Sequence, residues 1–195
     1  MLTSMRGDGA EDTLKRIAAA LDEVGIPFMV AGSFATKAHG VPCAMQDLDV
    51  VVDPEPAQLE ALLAALPRDA YHVDVDAARD ALRERSIFNI VDLATAWRVD
   101  FIVLKDRPFS RGELARRIST DVLGVPVLVV SAEDTIVAEL EWSKQSGGSE
   151  TQRRNVAGIL ASRGPSLDLA YVRRWVQELG LSEEWAPFDG AVGES

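Results

Sequence analysis

Two aspartates in one short segment have a spacing that can hold a metal ion. In residues 46–53, QDLDVVVD, Asp47 and Asp49 are separated by one residue, and the alternation with Leu48 and Val50 predicts a β-strand. Side chains at positions i and i+2 of a strand point to the same face, about 6.5–7 Å apart along the chain. Such a pair can bind one hard divalent cation, or two with the help of a third carboxylate. Mg²⁺ is the expected ion, because it prefers oxygen ligands and retains water or phosphate oxygens in its shell.

The third carboxylate is predicted in the segment RVDFIVL, residues 98–104. The strand pattern places Val99, Phe101 and Val103 on one face, and Arg98, Asp100, Ile102 and Leu104 on the other. A charged residue inside such a strand is expected where the strand meets a cleft. Asp92 is a rival candidate, which we rank lower because it lies at a strand end that is easily solvated.

A Gly-Ser pair precedes the acidic residues along the chain. Gly32 and Ser33 follow a short apolar strand and open the predicted short helix SFATKAHG. Glycine lets the backbone approach a ligand closely, serine adds a hydroxyl donor, and backbone N–H groups at a helix start attract phosphate. A phosphate site, an acidic pair and a third acid, in this order, are expected of metal-dependent phosphoryl or nucleotidyl transfer.

The elements that must position these residues predict an α/β or α+β fold with a small mixed sheet. Strand patterns lie at 26–31, 47–53, 86–93, 97–104 and 125–130, with helical patterns between them. The gap at 94–96 requires an antiparallel pair, since a parallel crossover needs about a dozen residues. We therefore expect a core over residues 1–130 and a helical segment over 131–195 packed on the core.

Helix starts and aromatic positions in the second segment give further expectations. Ser131 with Asp134, and Ser149 with Gln152, resemble capping boxes that open helices. The tryptophans of this segment fall at or near apolar stripes, so we expect them to pack in the core: Trp142, Trp175 and Trp185.

Composition excludes several classes of protein. The 195 residues carry 20 basic and 31 acidic side chains, a net charge of −11, which disfavours broad binding to nucleic acid. A single cysteine, Cys43, and two histidines exclude an internal disulfide and a zinc cluster of Cys and His ligands. We predict a cytoplasmic protein with no membrane partner, because no apolar run reaches the length of a membrane span and the N-terminus lacks the pattern of a secretory signal.

At these motifs the sequence resembles the nucleotidyltransferase superfamily. The segments that carry the resemblance are VAGSFATKAHG, QDLDVVVD and VDFIVL. The later segment SAEDTIVAELEWSKQSGGSETQRRNVAGIL is similar, more narrowly, to AbiEii-like nucleotidyltransferases, which include toxins of toxin–antitoxin systems. The resemblance covers roughly residues 26–162.

The resemblance implies a Mg²⁺-dependent enzyme that transfers NMP from an NTP to a hydroxyl of a protein, a tRNA or a small molecule. Asp47 and Asp49 would bind two Mg²⁺ ions, and Asp100 would bind one of them and help to activate the acceptor hydroxyl. The nucleotide would be bound by Gly32, Ser33 and Lys144. An antitoxin is a possible partner.

The sequence departs from the family pattern at four positions. Cys43 and Met45 stand where relatives commonly have Arg and Thr, and Glu139 and Asn155 stand where they have Lys and Asp. The departures favour a second hypothesis, a catalytically impaired protein of this fold that binds nucleotide or a partner as a regulator. A third hypothesis is modification of an aminoglycoside, since an acidic cleft suits a cationic acceptor.

Overall fold

The computed structural model describes residues 2–190, and side chains from residue 9 onward. The strands within this range are β1 (Phe28–Val30), β2 (Leu48–Val52), β3 (Tyr71–Val73), β4 (Ile87–Asp92), β5 (Trp97–Val103), β6 (Ile118–Val122) and β7 (Val125–Val129). The helices are α1 (Leu2–Glu23), α2 (Gly32–Ala38), α3 (Pro56–Ala65), α4 (Val75–Glu84), α5 (Pro108–Ala115), α6 (Ala132–Gln145), α7 (Glu150–Arg163), α8 (Leu169–Glu178) and α9 (Ser182–Asp189), with a 3₁₀ turn at Gly164–Ser166. No helix in residues 2–190 combines the length and the apolar character needed to cross a bilayer.

The strands form one mixed sheet in the order β3-β4-β5-β2-β1-β7-β6. Strands β2 and β5 are parallel, as are β1 and β7, and the other neighbours are antiparallel. The predicted mixed sheet, the antiparallel β4–β5 pair and the helical C-terminal segment are confirmed. The sequence patterns did not indicate β3 and β6, the two edge strands, because β3 has three residues and β6 (ISTDV) lacks apolar alternation.

The two faces of the sheet differ in burial around β2, β4 and β5. On one face the side chains are almost completely buried, as at Val50, Ile90 and Phe101. The other face carries Asp49 and Asp100, which are half-buried. The strand period of two explains the division, since aspartates alternate with the apolar residues that anchor each strand.

By packing, the chain divides into two compact units. One comprises the chain up to Phe34 together with Ala44–Val129, and therefore contains the sheet. The other comprises Ala35–Cys43 together with the chain from Val130 onward. In the sheet unit, α1 contacts β5 and β7, and α4 contacts β4. The α1 stripe of Leu14, Ile17 and Leu21 is at most 1 % exposed, as its helical spacing predicts.

Asp92 has a structural role that the sequence argument did not anticipate. It lies at the end of β4, but it is 1 % exposed rather than easily solvated. Its Oδ2 accepts hydrogen bonds from Thr13 Oγ1 at 3.1 Å and from Arg16, and its Oδ1 accepts one from the Ala94 N–H at 3.0 Å. Asp92 therefore links α1 to the β4–β5 turn, on the face of β4 opposite to Asp100.

Replacing Asp92 with Asn should destabilise the protein by about 2 kcal/mol at pH 7, or roughly 4–8 °C in Tm, because a buried carboxylate loses its charge-assisted hydrogen bond from Arg16, whose side chain is 41 % exposed. Burial alone would raise the pKa of Asp92, but the hydrogen bonds from Arg16 and Thr13 bring it below its usual range. The stabilisation is therefore complete above the unfolded-state pKa and is lost as the pH falls through the lower folded-state pKa. The test is the Tm of the unmodified protein and of Asp92→Asn, measured from pH 7 to pH 3. The difference in Tm between the two proteins should shrink at acid pH. Asp76→Asn, at a carboxylate 91 % exposed, is the control and should change Tm little.

Candidate functional site

Gly32 and Asp49 are in direct contact. Gly32 has a positive φ of 56°, and a Cβ built on it would lie 1.9 Å from Oδ2 of Asp49. The N–H of Ala31 donates to the carbonyl oxygen of Asp49 at 2.9 Å, which joins the turn to β2. Only glycine fits this position, because the turn needs a left-handed backbone and the carboxylate fills the space of a side chain.

Asp49 and Asp100 are register partners on the parallel strands β2 and β5. Side chains of paired residues lie on the same face, and neighbouring strands are about 4.8 Å apart. Asp47 directly precedes β2, two residues before Asp49, and is half-buried. The fold therefore brings Asp49 and Asp100 to one face of the sheet, with Asp49 against the Gly32 turn, and Asp47 lies just before the same strand as Asp49.

Asp100 is already engaged by a cation of the protein. The guanidinium Nε of Arg98 donates to Oδ1 of Asp100 at 2.6 Å, and the Asp100 side chain is 14 % exposed. Within the described part of the chain, no three side chains of the His, Cys, Asp or Glu type are grouped closely enough to hold a metal ion. Asp47, Asp49 and Asp100 thus do not form a ready three-ligand cage.

The donor set fits a magnesium site in its chemistry, since aspartate oxygens and later phosphate oxygens are the ligands that Mg²⁺ prefers. Asp47 and Asp49 would hold such an ion, and Asp100 would have to leave Arg98 to join them. The assignment of the three aspartates to metal binding stays a prediction.

Strand β4 adds a polar residue that the sequence reasoning missed. Asn89 is the register partner of Asp100 on the side opposite to Asp49, and it is exposed. Asn89, Asp100 and Asp49 therefore form a polar row across three neighbouring strands. The alternation in SIFNIVDL was the available signal, because it places Asn89 opposite the buried Phe88 and Ile90.

A surface groove of about 710 Å³ lies away from these residues, past the other end of β2. Its lining includes Asp53 and Glu60, which form ion pairs with Arg85 and Arg79. Because its arginines already have carboxylate partners, this groove offers less for an anionic ligand.

Comparison with solved structures shows what this architecture is similar to. The antibiotic-resistance factor ANT(2'')-Ia, solved in solution, is 16 % identical with a TM-score of 0.57 over 91 % of this chain and 94 % of that one. An antigenic nucleotidyltransferase-like protein from Paracoccidioides brasiliensis is 18 % identical with a TM-score of 0.55 over 91 % and 92 %. The lincosamide antibiotic adenylyltransferase LnuA is 13 % identical with a TM-score of 0.52 over 76 % and 95 %.

The chain has the nucleotidyltransferase fold. A scan against protein-family models finds no match, and neither does a search of curated proteins.

Glu139 and Asn155 of this nucleotidyltransferase-fold protein, which both differ from the family pattern, contact each other. Asn155 Nδ2 donates to Glu139 Oε1 at 3.0 Å, and Thr36 Oγ1 donates to the same oxygen at 3.3 Å. Glu139 is 9 % exposed and Asn155 is 6 % exposed. The two residues that differ from the family pattern therefore contact each other in the interior. Glu139 accepts its hydrogen bonds from residues of its own unit.

Replacing Glu139 with Gln should stabilise the protein at pH 8 by on the order of 1 kcal/mol, or about 2–4 °C in Tm. Burial raises the pKa of Glu139, and the hydrogen bonds from Asn155 and Thr36 only partly oppose this. The folded state therefore holds the proton more tightly than the unfolded state, and stability falls as the pH rises from the unfolded-state to the folded-state pKa. Gln accepts the same hydrogen bonds without a charge. Thermal unfolding should show the gain at pH 8 and its disappearance near pH 4; a variant less stable at both pH values would contradict this.

The contacts and burial of three other residues of the helical unit bear on their roles: Lys144, His39 and Cys43. Lys144 donates from Nζ to the Gly180 carbonyl oxygen at 2.6 Å, and its role in nucleotide binding stays a prediction. His39 is 1 % exposed with Nε2 2.8 Å from the Val130 carbonyl oxygen, so its role is structural. Cys43 is half-buried, and burial raises the pKa of its thiol, as expected of an inert cysteine.

Two expectations for the helical unit are wrong. Trp142 is 53 % exposed instead of buried, because it lies on the solvent side of α6, whereas Trp175 and Trp185 are buried as predicted. Ser149 precedes α7 without a side-chain capping bond; its own N–H donates to Ser143 Oγ at 3.3 Å. At α6 the prediction holds, since Ser131 Oγ accepts from the Asp134 N–H at 3.1 Å.

Proposed function

We propose that this protein is a nucleotidyltransferase that moves NMP from an NTP onto a hydroxyl of a small molecule. The observation that carries the proposal is the contact of Asp49 with the Gly32 turn, in register with Asp100. A phosphate-binding turn and two carboxylates are thereby within one side chain's reach of each other.

The roles follow from the chemistry of these groups. The acceptor oxygen attacks the α-phosphorus of the NTP, a new P–O bond forms, and the bond to pyrophosphate breaks. Asp100 accepts the hydroxyl proton, because a carboxylate in register with the metal-binding Asp49 can act as the general base. Asp47 and Asp49 would hold Mg²⁺, which would neutralise charge on the phosphates when bound. The turn at Gly32 and Ser33 contacts the phosphates through backbone N–H groups and the serine hydroxyl.

A small-molecule acceptor is favoured over tRNA by charge. A net charge of −11 repels a polyanion and attracts a cationic or neutral acceptor. The similar structure of ANT(2'')-Ia contains adenylyl-2''-tobramycin, a nucleotidylated antibiotic, and LnuA was solved with lincomycin bound. These structures support the acceptor class proposed here, and a protein acceptor is the less supported variant.

Transfer of label tests the proposal. The protein is incubated with each of the four α-³²P-labelled NTPs, Mg²⁺ and a panel of hydroxylated small molecules including aminoglycosides and lincosamides. We expect one NTP to label an acceptor with release of pyrophosphate. Asp47→Ala should abolish the label, while Asp76→Ala, at an exposed surface carboxylate, should not. Absence of transfer from all four NTPs, to the panel and to cell extract, would exclude the enzyme.

One observation favours a second candidate, a nucleotide- or partner-binding regulator without turnover. The Arg98–Asp100 hydrogen bond occupies the carboxylate that catalysis needs. The regulator hypothesis predicts that an NTP raises the Tm of the protein while no label is transferred. The same samples therefore distinguish the enzyme from the regulator.

A further inference from the structure

Arg98 lies among the aspartates of the proposed site. It is two residues before Asp100 on β5, and both side chains are on the same face, as their hydrogen bond requires. The pairing of β2 with β5 starts at Leu48 and Val99, and Asp47 and Arg98 are the residues that directly precede this first pair. The Arg98 guanidinium therefore binds the carboxylate two residues ahead on its own strand, next to the start of β2.

The geometry of this pair resists an ion at Asp100. Nε of Arg98 is 2.6 Å from Oδ1 of Asp100, and charge-assisted bonds of this kind are the strong ones. Arg98 is 53 % exposed and Asp100 is 14 % exposed, so solvent reaches the bond from the side of the guanidinium. A divalent ion at Asp100 would have to displace the guanidinium and would be repelled by it while it stays close.

We propose that Arg98 is a resident cation of the site, which takes the place of one of the two divalent ions, so that the protein binds a single ion at Asp47 and Asp49. This inference rests on the proposed function and refines it. Arg98 acts as a positioning residue that holds Asp100 toward the acceptor. Its positive charge also compensates one of the three carboxylates, in place of a second metal ion.

Counting bound Mn²⁺ tests this without turnover. Electron paramagnetic resonance of free Mn²⁺ in a titration of the full chain should give one ion for the unmodified protein and two for Arg98→Gln. Arg98→Lys, which keeps the charge, should return the count to one. Arg85→Gln is the matched control, because Arg85 donates to Asp53 at 2.8 Å past the other end of β2, and it should leave the count at one.

A second variant keeps the test decisive if Arg98→Gln does not fold. Asp100→Asn should change the Mn²⁺ affinity of the unmodified site by less than about three-fold, because Arg98 already occupies that carboxylate, whereas Asp49→Asn should weaken it at least ten-fold. Equal counts in the unmodified protein and Arg98→Gln, or a ten-fold loss in Asp100→Asn, would overturn the inference. The absence of bound ion in every variant would overturn it as well. The labelled-transfer assay decides the proposed function separately from each of these results.

Discussion

Replacing Asp49 with Asn should lower the rate of nucleotidyl transfer by about 1,000-fold, with little change in folding. Asn keeps the shape that fits under Gly32, but it removes the negative charge that would hold a divalent ion. Charge stabilisation of this kind supplies several kcal/mol to a transition state, and each 1.36 kcal/mol corresponds to ten-fold in rate. The measurement is kcat with the labelled NTP and the acceptor found in the transfer assay.

Asp53→Asn is the control for this variant. Asp53 directly follows the same strand and is paired with Arg85, so the substitution also removes a carboxylate next to β2. We expect its kcat to stay within about two-fold, since surface pairs contribute little. Similar rates for Asp49→Asn and Asp53→Asn, with both proteins folded by thermal unfolding, would exclude Asp49 from catalysis.

Replacing Gly32 with Ala should reduce transfer by at least about 100-fold. The new Cβ would lie 1.9 Å from Oδ2 of Asp49, so either the turn or the carboxylate must move. A displacement of about 1 Å at a reacting group can cost about 100-fold in rate. Alanine also adds about 1–2 kcal/mol of backbone strain at a φ of 56°.

Gly124→Ala separates the contact from the strain. Gly124 has a φ of 80°, but a Cβ there meets nothing within 4 Å. This variant should therefore lose stability by a similar strain and keep its rate. If Gly32→Ala and Gly124→Ala lose stability equally and both remain active, the contact of Gly32 with Asp49 has no functional role.

Local patterns predicted the core strands and the residues of the site better than they predicted the surroundings of those residues. The alternation around Asp49 and Asp100 correctly placed both on one face of their strands. The same reasoning ranked Asp92 low for the wrong reason, because a residue at a strand end is exposed only if no helix covers it, and α1 brings Thr13 and Arg16 to Asp92. Trp142 shows the converse, since an apolar residue near a helix stripe is buried only if another element packs there.

Only the folded structure shows that two residues that differ from the family pattern contact each other. Glu139 and Asn155 are 16 residues apart and lie on different helices, so the sequence presents two independent changes. In the folded chain they are donor and acceptor of one buried hydrogen bond.

By itself, the amino-acid sequence determined strands β1, β2, β4, β5 and β7, the Gly-Ser turn, and the faces of Asp49 and Asp100, because these depend on periods of two and 3.6 residues and on backbone preferences that act within a few positions. The tertiary structure decided which strands are neighbours, and hence that Asp49 pairs with Asp100 and lies against Gly32, and that Asp100 is held by Arg98. Register between strands about 50 residues apart is selected by packing of the whole core, which no local pattern encodes.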